Sequence, residues 1–190
     1  MQSDYAALFR LIMLANELSG NLKAVYRFSD PDGVQTGKSG WSFGICQFDI
    51  NNNPSATLCL RECGFTTDEI IGLKSQSIPT APLNAKLRAH ADVIDSWDER
   101  QMYECLTVPL QRCKNSGITF VDDEAKFHLA DYHNQFNMSR GGKMHCYLRS
   151  FNRPITREDI LKFKLGLPWG KKRADDVYRR YNNIVRICAE

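Results

Sequence analysis

The chain has 190 residues, 43% hydrophobic and 25% charged, with twenty aromatic side chains. That composition excludes general disorder and is enough for the core of one domain. No apolar run approaches the ~20 residues of a membrane span, and Met1-Gln2-Ser3-Asp4 lacks the basic and apolar regions of a signal peptide.

The net charge is +3 and unevenly spread. Residues 1–100 hold 9 basic and 12 acidic side chains, whereas residues 101–190 hold 16 and 10. From Ser139 onward 13 basic side chains stand against 5 acidic ones, and such a tail is attracted to anionic polymers, whether nucleic acid, anionic lipid or bacterial cell wall. Equally, it suits a solvated helical surface. The seven cysteines contain no CxxC pair, which argues against a zinc ribbon or a thioredoxin motif. Their odd number leaves at least one free thiol and fits synthesis in a reducing cytosol.

Helical periodicity dominates. Asp4 caps a first helix expected over 5–18, with Leu8, Leu11, Ile12, Ala15 and Leu18 as its buried stripe and Ser19-Gly20 as its stop. Residues 19–40 are polar, with turn clusters at 29–33 and 37–40. Residues 41–50 lack a helical period and predict short extended or looped structure. Asn53-Pro54 opens a second helix that ends at Gly64, and Thr66 to Glu69 opens a third. Residues 82–113 predict one or two helices, kinked or broken at Pro109. Asp122-Asp123-Glu124 starts a helix reaching about Met138, and 140–143 predicts a flexible joint. Thr156 to Asp159 starts a ten-residue helix, and a last one runs from about Arg173 to Cys188. The fold class is therefore all-α, with a short extended segment as its only β structure. One domain is expected over 1–190, with a basic helical part from about 150.

The chemistry centres on carboxylates. Glu17 stands at the end of an apolar helix between Leu14 and Leu18. Partial burial there disfavours the charged form, which is what a general acid for glycosidic cleavage requires. A second, better solvated carboxylate serves water or a covalent intermediate. Asp30 and Asp49 are the candidates. An isolated Glu near a helix end is more often a solvated surface residue. The segment Ser42-Phe43-Gly44-Ile45-Cys46-Gln47-Phe48-Asp49 is what changes those odds.

Together, Glu17-Leu18-Ser19-Gly20 and that segment resemble the lysozyme-like superfamily of peptidoglycan hydrolases, especially goose-type lysozymes and soluble lytic transglycosylases. The resemblance covers roughly 5–60 and 123–138. It implies a lysozyme-like fold, with Glu17 as catalytic acid and Gly44 and Gln47 matching the glycine and glutamine of the family stretch. Asp49 matches an acidic residue two positions on, and Asp30 an acidic residue of the intervening loop. Tyr132 and Asn134 look like the family's Tyr-Asn element, with His133 as a departure between them. Ser19 departs too, since one residue separates it from Glu17.

The implied activity is a muramidase cleaving the β-1,4 bond between N-acetylmuramic acid and N-acetylglucosamine. Ser42, Gln47, Tyr132 and Asn134 would bind substrate and orient Glu17. The same Glu17 would serve a lytic transglycosylase, and a chitosanase-like hydrolase is a further alternative. A non-enzymatic wall- or nucleic-acid-binding module built on the basic tail is the reading of another class. No cofactor and no metal is expected: Asp30-x-Asp32-Gly33 resembles the start of a calcium loop but has no third ligand in register. The expected partners are peptidoglycan glycan strands and an immunity or inhibitor protein, without membrane insertion and without a nucleic-acid motif. The expected route is cytoplasmic synthesis, then holin- or secretion-system-dependent export to the periplasm or wall, as for phage endolysins and antibacterial toxin effectors. Ser-His and Cys-His catalysis stay open, because such triads assemble in space, although no Gly-x-Ser-x-Gly elbow is present.

Overall fold

The computed structural model describes residues 2–30 and 39–190, with side chains from Asp4 onward. The turn clusters expected at 29–33 and 37–40 lie partly outside the described residues, and Asp32 wholly so. The fold is mainly helical. Ten α-helices, one 3-10 turn and one two-stranded hairpin are present among the described residues. They fall into two compact units: Met1–Asn16 with Met102–Glu190, and Glu17–Gln101. The chain thus leaves the first unit within its first helix and returns within its fifth. Among the described residues no helix is long and apolar enough to cross a membrane.

The first unit begins with α1, Gln2–Leu18. Its buried face is Phe9, Ile12, Met13 and Asn16, while Leu11 is 53% exposed. The apolar stripe expected from Leu8, Leu11 and Ala15 is therefore rotated, because Phe9 and Met13 outweigh Leu11 once a partner helix is present. That partner is α6, Asp123–Phe136, whose Phe127 ring stacks on Tyr5 at 4.4 Å and Phe9 at 6.0 Å. The Asp122 carboxylate accepts from the Ala125 N–H at 2.8 Å and starts α6, and Asn137 ends it in the left-handed region at φ 48°.

Around α6 stand α7 (Lys143–Arg149), α8 (Arg157–Gly166), α9 (Pro168–Lys172) and α10 (Ala174–Ala189). Cys113, Leu129, Tyr132, Met138, Met144, Leu148, Ile155 and Ile160 form their shared core. α8 opens with a reciprocal capping box between Thr156 and Asp159. The joint expected at 140–143 instead leads directly into α7, with Gly142 as its N-cap. α9 approaches α8 so closely that a Cβ on Gly170 would lie 1.9 Å from the Lys164 carbonyl oxygen. Only glycine fits there. α10 turns Val177, Arg180, Ile184 and Ile187 inward, a stripe at helical spacing with an arginine in it.

The second unit holds a hairpin and three shorter helices. β1 (Ser42–Phe43) pairs antiparallel with β2 (Phe48–Asp49), Ser42 opposite Asp49. Ser29 forms an antiparallel bridge to the other side of Ser42, with N···O distances of 2.8 and 2.7 Å. A rudimentary third strand therefore flanks the hairpin. Phe28, Phe43, Phe48 and Phe65 pack edge to face and tilted beneath it. α2 (Pro54–Glu62) starts at the Asn53 cap, and α3 (Thr67–Lys74) at a Thr66–Glu69 capping box. α4 (Ala81–Ala89) and α5 (Ala91–Lys114) follow. α5 continues through Pro109 without a break. A proline inside a helix costs about 3 kcal/mol, which the flanking buried Cys105, Leu106 and Cys113 offset by packing.

Candidate functional site

Glu17 is half-buried in the last turn of α1. Beyond it the helix stops at two successive left-handed residues, Ser19 at φ 52° and Gly20 at φ 78°. Glycine adopts that conformation freely, whereas for Ser19 it is a local cost held by its surroundings. The Asn21 N–H donates to the Leu18 carbonyl at 2.9 Å and closes the turn.

The turn of the hairpin, residues 44–47, is fixed by a carboxylate that the sequence did not advertise. Asp98 on α5 is fully buried, and its two oxygens accept from the Ile45 and Cys46 N–H groups, each at 2.8 Å. Gly44 is left-handed at φ 76°, and a Cβ there would come within 3.0 Å of Asp98. Gln47 is left-handed too, at φ 52°. Its side chain folds back on the turn: Nε2 donates to the Gly44 carbonyl at 2.9 Å, and Oε1 accepts from the Ser29 hydroxyl at 2.9 Å. The hairpin thus brings Ser42, Gln47 and Asp49 into one small frame. Ser42 is only 1% exposed, its hydroxyl buried without a partner among the described residues, so direct contact with a sugar does not fit its position.

Asp49 serves its own loop. Oδ1 accepts from the N–H groups of Gly40 (3.1 Å), Asn51 (2.8 Å) and Asn52 (3.2 Å), and Oδ2 from the Asn52 side-chain amide (2.8 Å). Burial would raise its pKa, but the Asn52 amide and the three backbone donors outweigh burial and hold it below the usual carboxylate range. Asp49 is therefore ionised and occupied. Asp30 is half-buried and accepts from Gln76 Nε2 at 3.3 Å.

Tyr132 and Asn134 lie on α6 in the first unit. Tyr132 is 7% exposed, its ring against Phe136 and Phe163, and burial pushes its phenol pKa up. Asn134 Oδ1 accepts from the Cys105 thiol at 3.7 Å.

The first unit also contains a buried polar cluster that periodicity alone did not single out. Asp131 on α6 is 1% exposed. It pairs with Arg180 of α10 at 2.5 Å and with Lys164 of α8 at 2.9 Å, and it accepts from Asn16 Nδ2 at 2.9 Å. Burial would raise the Asp131 pKa, yet the charges of Arg180 and Lys164 reverse that and hold the group ionised. Burial pulls Lys164 down from its ordinary value. A signal for this cluster existed: Arg180 and Asn16 each occupy a core position in an otherwise apolar helical stripe.

One nucleophile pairing is disposed of by geometry. Ser116 Oγ lies 2.9 Å from His145 Nε2, while His145 Nδ1 accepts from the Gly141 N–H at 3.0 Å. An accepting Nδ1 puts the ring proton on Nε2, which then donates to the serine. A base that already carries its proton cannot take the serine's. All seven cysteines are free thiols, five of them buried. Among the described residues no three His, Cys, Asp or Glu side chains converge as a metal site would require. No protein-family model, no curated protein and no solved structure matches the chain.

Proposed function

We propose that the chain is a peptidoglycan-degrading muramidase of the lysozyme-like superfamily, with Glu17 as its general acid. One observation carries the reading. Glu17 occupies the last turn of a helix that halts abruptly at Ser19-Gly20, and further along the chain stands a hairpin whose turn carries Gln47. This helix-Glu, hairpin-Gln order is what the sequence resemblance implies. In the reaction the protonated Glu17 carboxyl gives its proton to the O4 leaving oxygen of N-acetylglucosamine as the C1–O4 bond breaks. A water hydroxyl bonds to C1 of N-acetylmuramic acid, and its proton restores Glu17 or passes to a second carboxylate.

Asp49 spends both oxygens on its own loop, which leaves Asp30 as the second carboxylate of the original pair. The engagement of Asp49 also favours a second reading, in which the substrate's own 6-hydroxyl replaces water and the enzyme is a lytic transglycosylase. Mass spectrometry of the products separates the two: a reducing end marks the hydrolase, a 1,6-anhydro end the transglycosylase.

The test is clearing of purified peptidoglycan by the wild type and by Glu17→Gln. The swap keeps size and hydrogen bonding but removes the transferable proton. Clearing by the wild type and none by a folded Glu17→Gln supports the reading. Equal clearing by both moves the active site elsewhere. Clearing by neither directs attention to chitosan as substrate or to binding through the basic tail.

A further inference from the structure

An α-helix leaves its last four carbonyls without partners in the helix. In α1 these belong to residues 15–18, the turn that carries Glu17. Three are satisfied, and two of the three from far along the chain. Arg179 Nη1 and Nη2 donate to the Ala15 and Asn16 carbonyls at 3.4 and 3.0 Å. Arg180 Nη1 donates to the Asn16 carbonyl at 3.4 Å, and Asn183 Nδ2 to that of Ala15 at 3.5 Å. Asn183 also donates to the Asn16 side chain at 3.0 Å. The third, that of Leu18, is taken locally by Asn21. The negative end of the α1 dipole therefore meets two guanidinium groups.

The donors are themselves held. Arg180 is fixed by buried Asp131, and Arg179 by Asp176 at 2.6 Å. Asn16, adjacent to Glu17, has its side-chain amide used at both ends, donating to Asp131 and accepting from Asn183. Stability alone asks for less. A glycine or a solvated end satisfies a helix C-terminus without a buried ionic cluster, and buried ion pairs contribute little net stability. What such a cluster does supply is one fixed geometry.

We infer that Arg179 is a positioning residue for Glu17: together with Arg180 and Asn183 it clamps the terminal carbonyls of α1 so that the turn bearing the acid has a single orientation. This rests on the reading of Glu17 as general acid. Arg179 touches no reacting atom. It acts through the backbone of residues 15 and 16, and a small misplacement of a catalytic group is enough to slow chemistry by about a hundredfold.

The experiment uses Arg179 because its side chain is 41% exposed and the partner its loss would unpair, Asp176, is half-buried rather than fully out of water. Asp131→Asn, in contrast, would strand two buried cations and endanger folding. Turnover of soluble, peptide-free glycan strands is measured for the wild type, Glu17→Gln, Arg179→Ala, Arg179→Lys and Arg186→Ala. Arg186 pairs with Glu190 on the exposed face of α10 and is the control. The expected result is a kcat for Arg179→Ala lower by about tenfold or more, KM within about twofold of the wild type, partial recovery with added guanidinium ion, an intermediate Arg179→Lys, and an unchanged Arg186→Ala. An Arg179→Ala enzyme with wild-type kcat beside an inactive Glu17→Gln overturns the positioning role and leaves the muramidase reading intact. A loss of kcat that guanidinium does not restore also overturns it, as a merely structural effect. A wild type without turnover, or an active Glu17→Gln, overturns both.

Discussion

Replacing Asp98 by asparagine removes one of the two acceptors that its carboxylate offers to the backbone donors of the hairpin turn. In the native protein each carboxylate oxygen takes one N–H of the hairpin turn at 2.8 Å, with the side chain fully out of water. The amide keeps one oxygen. Its nitrogen, a donor, faces the second N–H. One charge-assisted bond of about 2 kcal/mol is lost, and a buried N–H left without an acceptor adds about 2 kcal/mol. The expected destabilisation is therefore about 4 kcal/mol, which for a chain of this size lowers Tm by about 8–16 °C. Differential scanning calorimetry reads this directly, with Glu99→Gln as control, since the neighbouring Glu99 is exposed. Amide hydrogen exchange at Ile45 and Cys46 should accelerate in Asp98→Asn and not in the control. A Tm within about 3 °C of the wild type, with both amides still protected, would refute the argument, because the turn would then hold without the carboxylate.

Two further outcomes follow from buried histidines. His128 is 4% exposed and packs tilted against Tyr181, with Glu124, Asp131, Glu158, Lys164 and Arg157 as the charged groups around it. Burial, only partly countered by Asp131, depresses its pKa from 6.5 to about 3. The unfolded chain thus binds a proton that the folded chain refuses. His128 contributes stability that is fully present above pH 6.5 and is lost as pH falls toward about 3. Thermal melts between neutral pH and pH 4 should fall less steeply for His128→Phe than for the wild type, and parallel curves would rule the argument out. Ser116, in turn, should stay unlabelled by a fluorophosphonate probe, because the His145 ring nitrogen beside it already holds its proton. Covalent labelling at Ser116 detected by peptide mass spectrometry would show the opposite tautomer.

The helices legible in the sequence were those with a chemical start signal. Asn53-Pro54, Thr66 with Glu69, Asp122 and Thr156 with Asp159 each begin a helix through a side chain that accepts a backbone N–H nearby. α7 and α9 were missed because they are short and begin at Gly142 and Leu167, neither of which makes a side-chain cap. The rotation of α1 was hidden for another reason: periodicity permits several apolar faces, and only Phe127 selects the one with Phe9 and Met13. In the candidate site, Glu17, Gln47 and Asp49 stood out as local pattern. Asp98 and Asp131 did not, since what they hold lies 33 to 115 residues away in sequence. A carboxylate on a helix reads as solvent-facing until its distant donors are known.

The passage of the chain out of one unit and back has a consequence for the order of assembly. Every residue of the second unit lies between Glu17 and Gln101, so this part can acquire its contacts while the ribosome is still adding the rest. The first unit cannot. The end of α1 waits for Arg179, Arg180 and Asn183, which are made more than 160 residues later. Until α10 emerges, the helix turn bearing Glu17 has its terminal carbonyls in water. During synthesis, then, the proposed acid is made well before the side chains that set its turn in place.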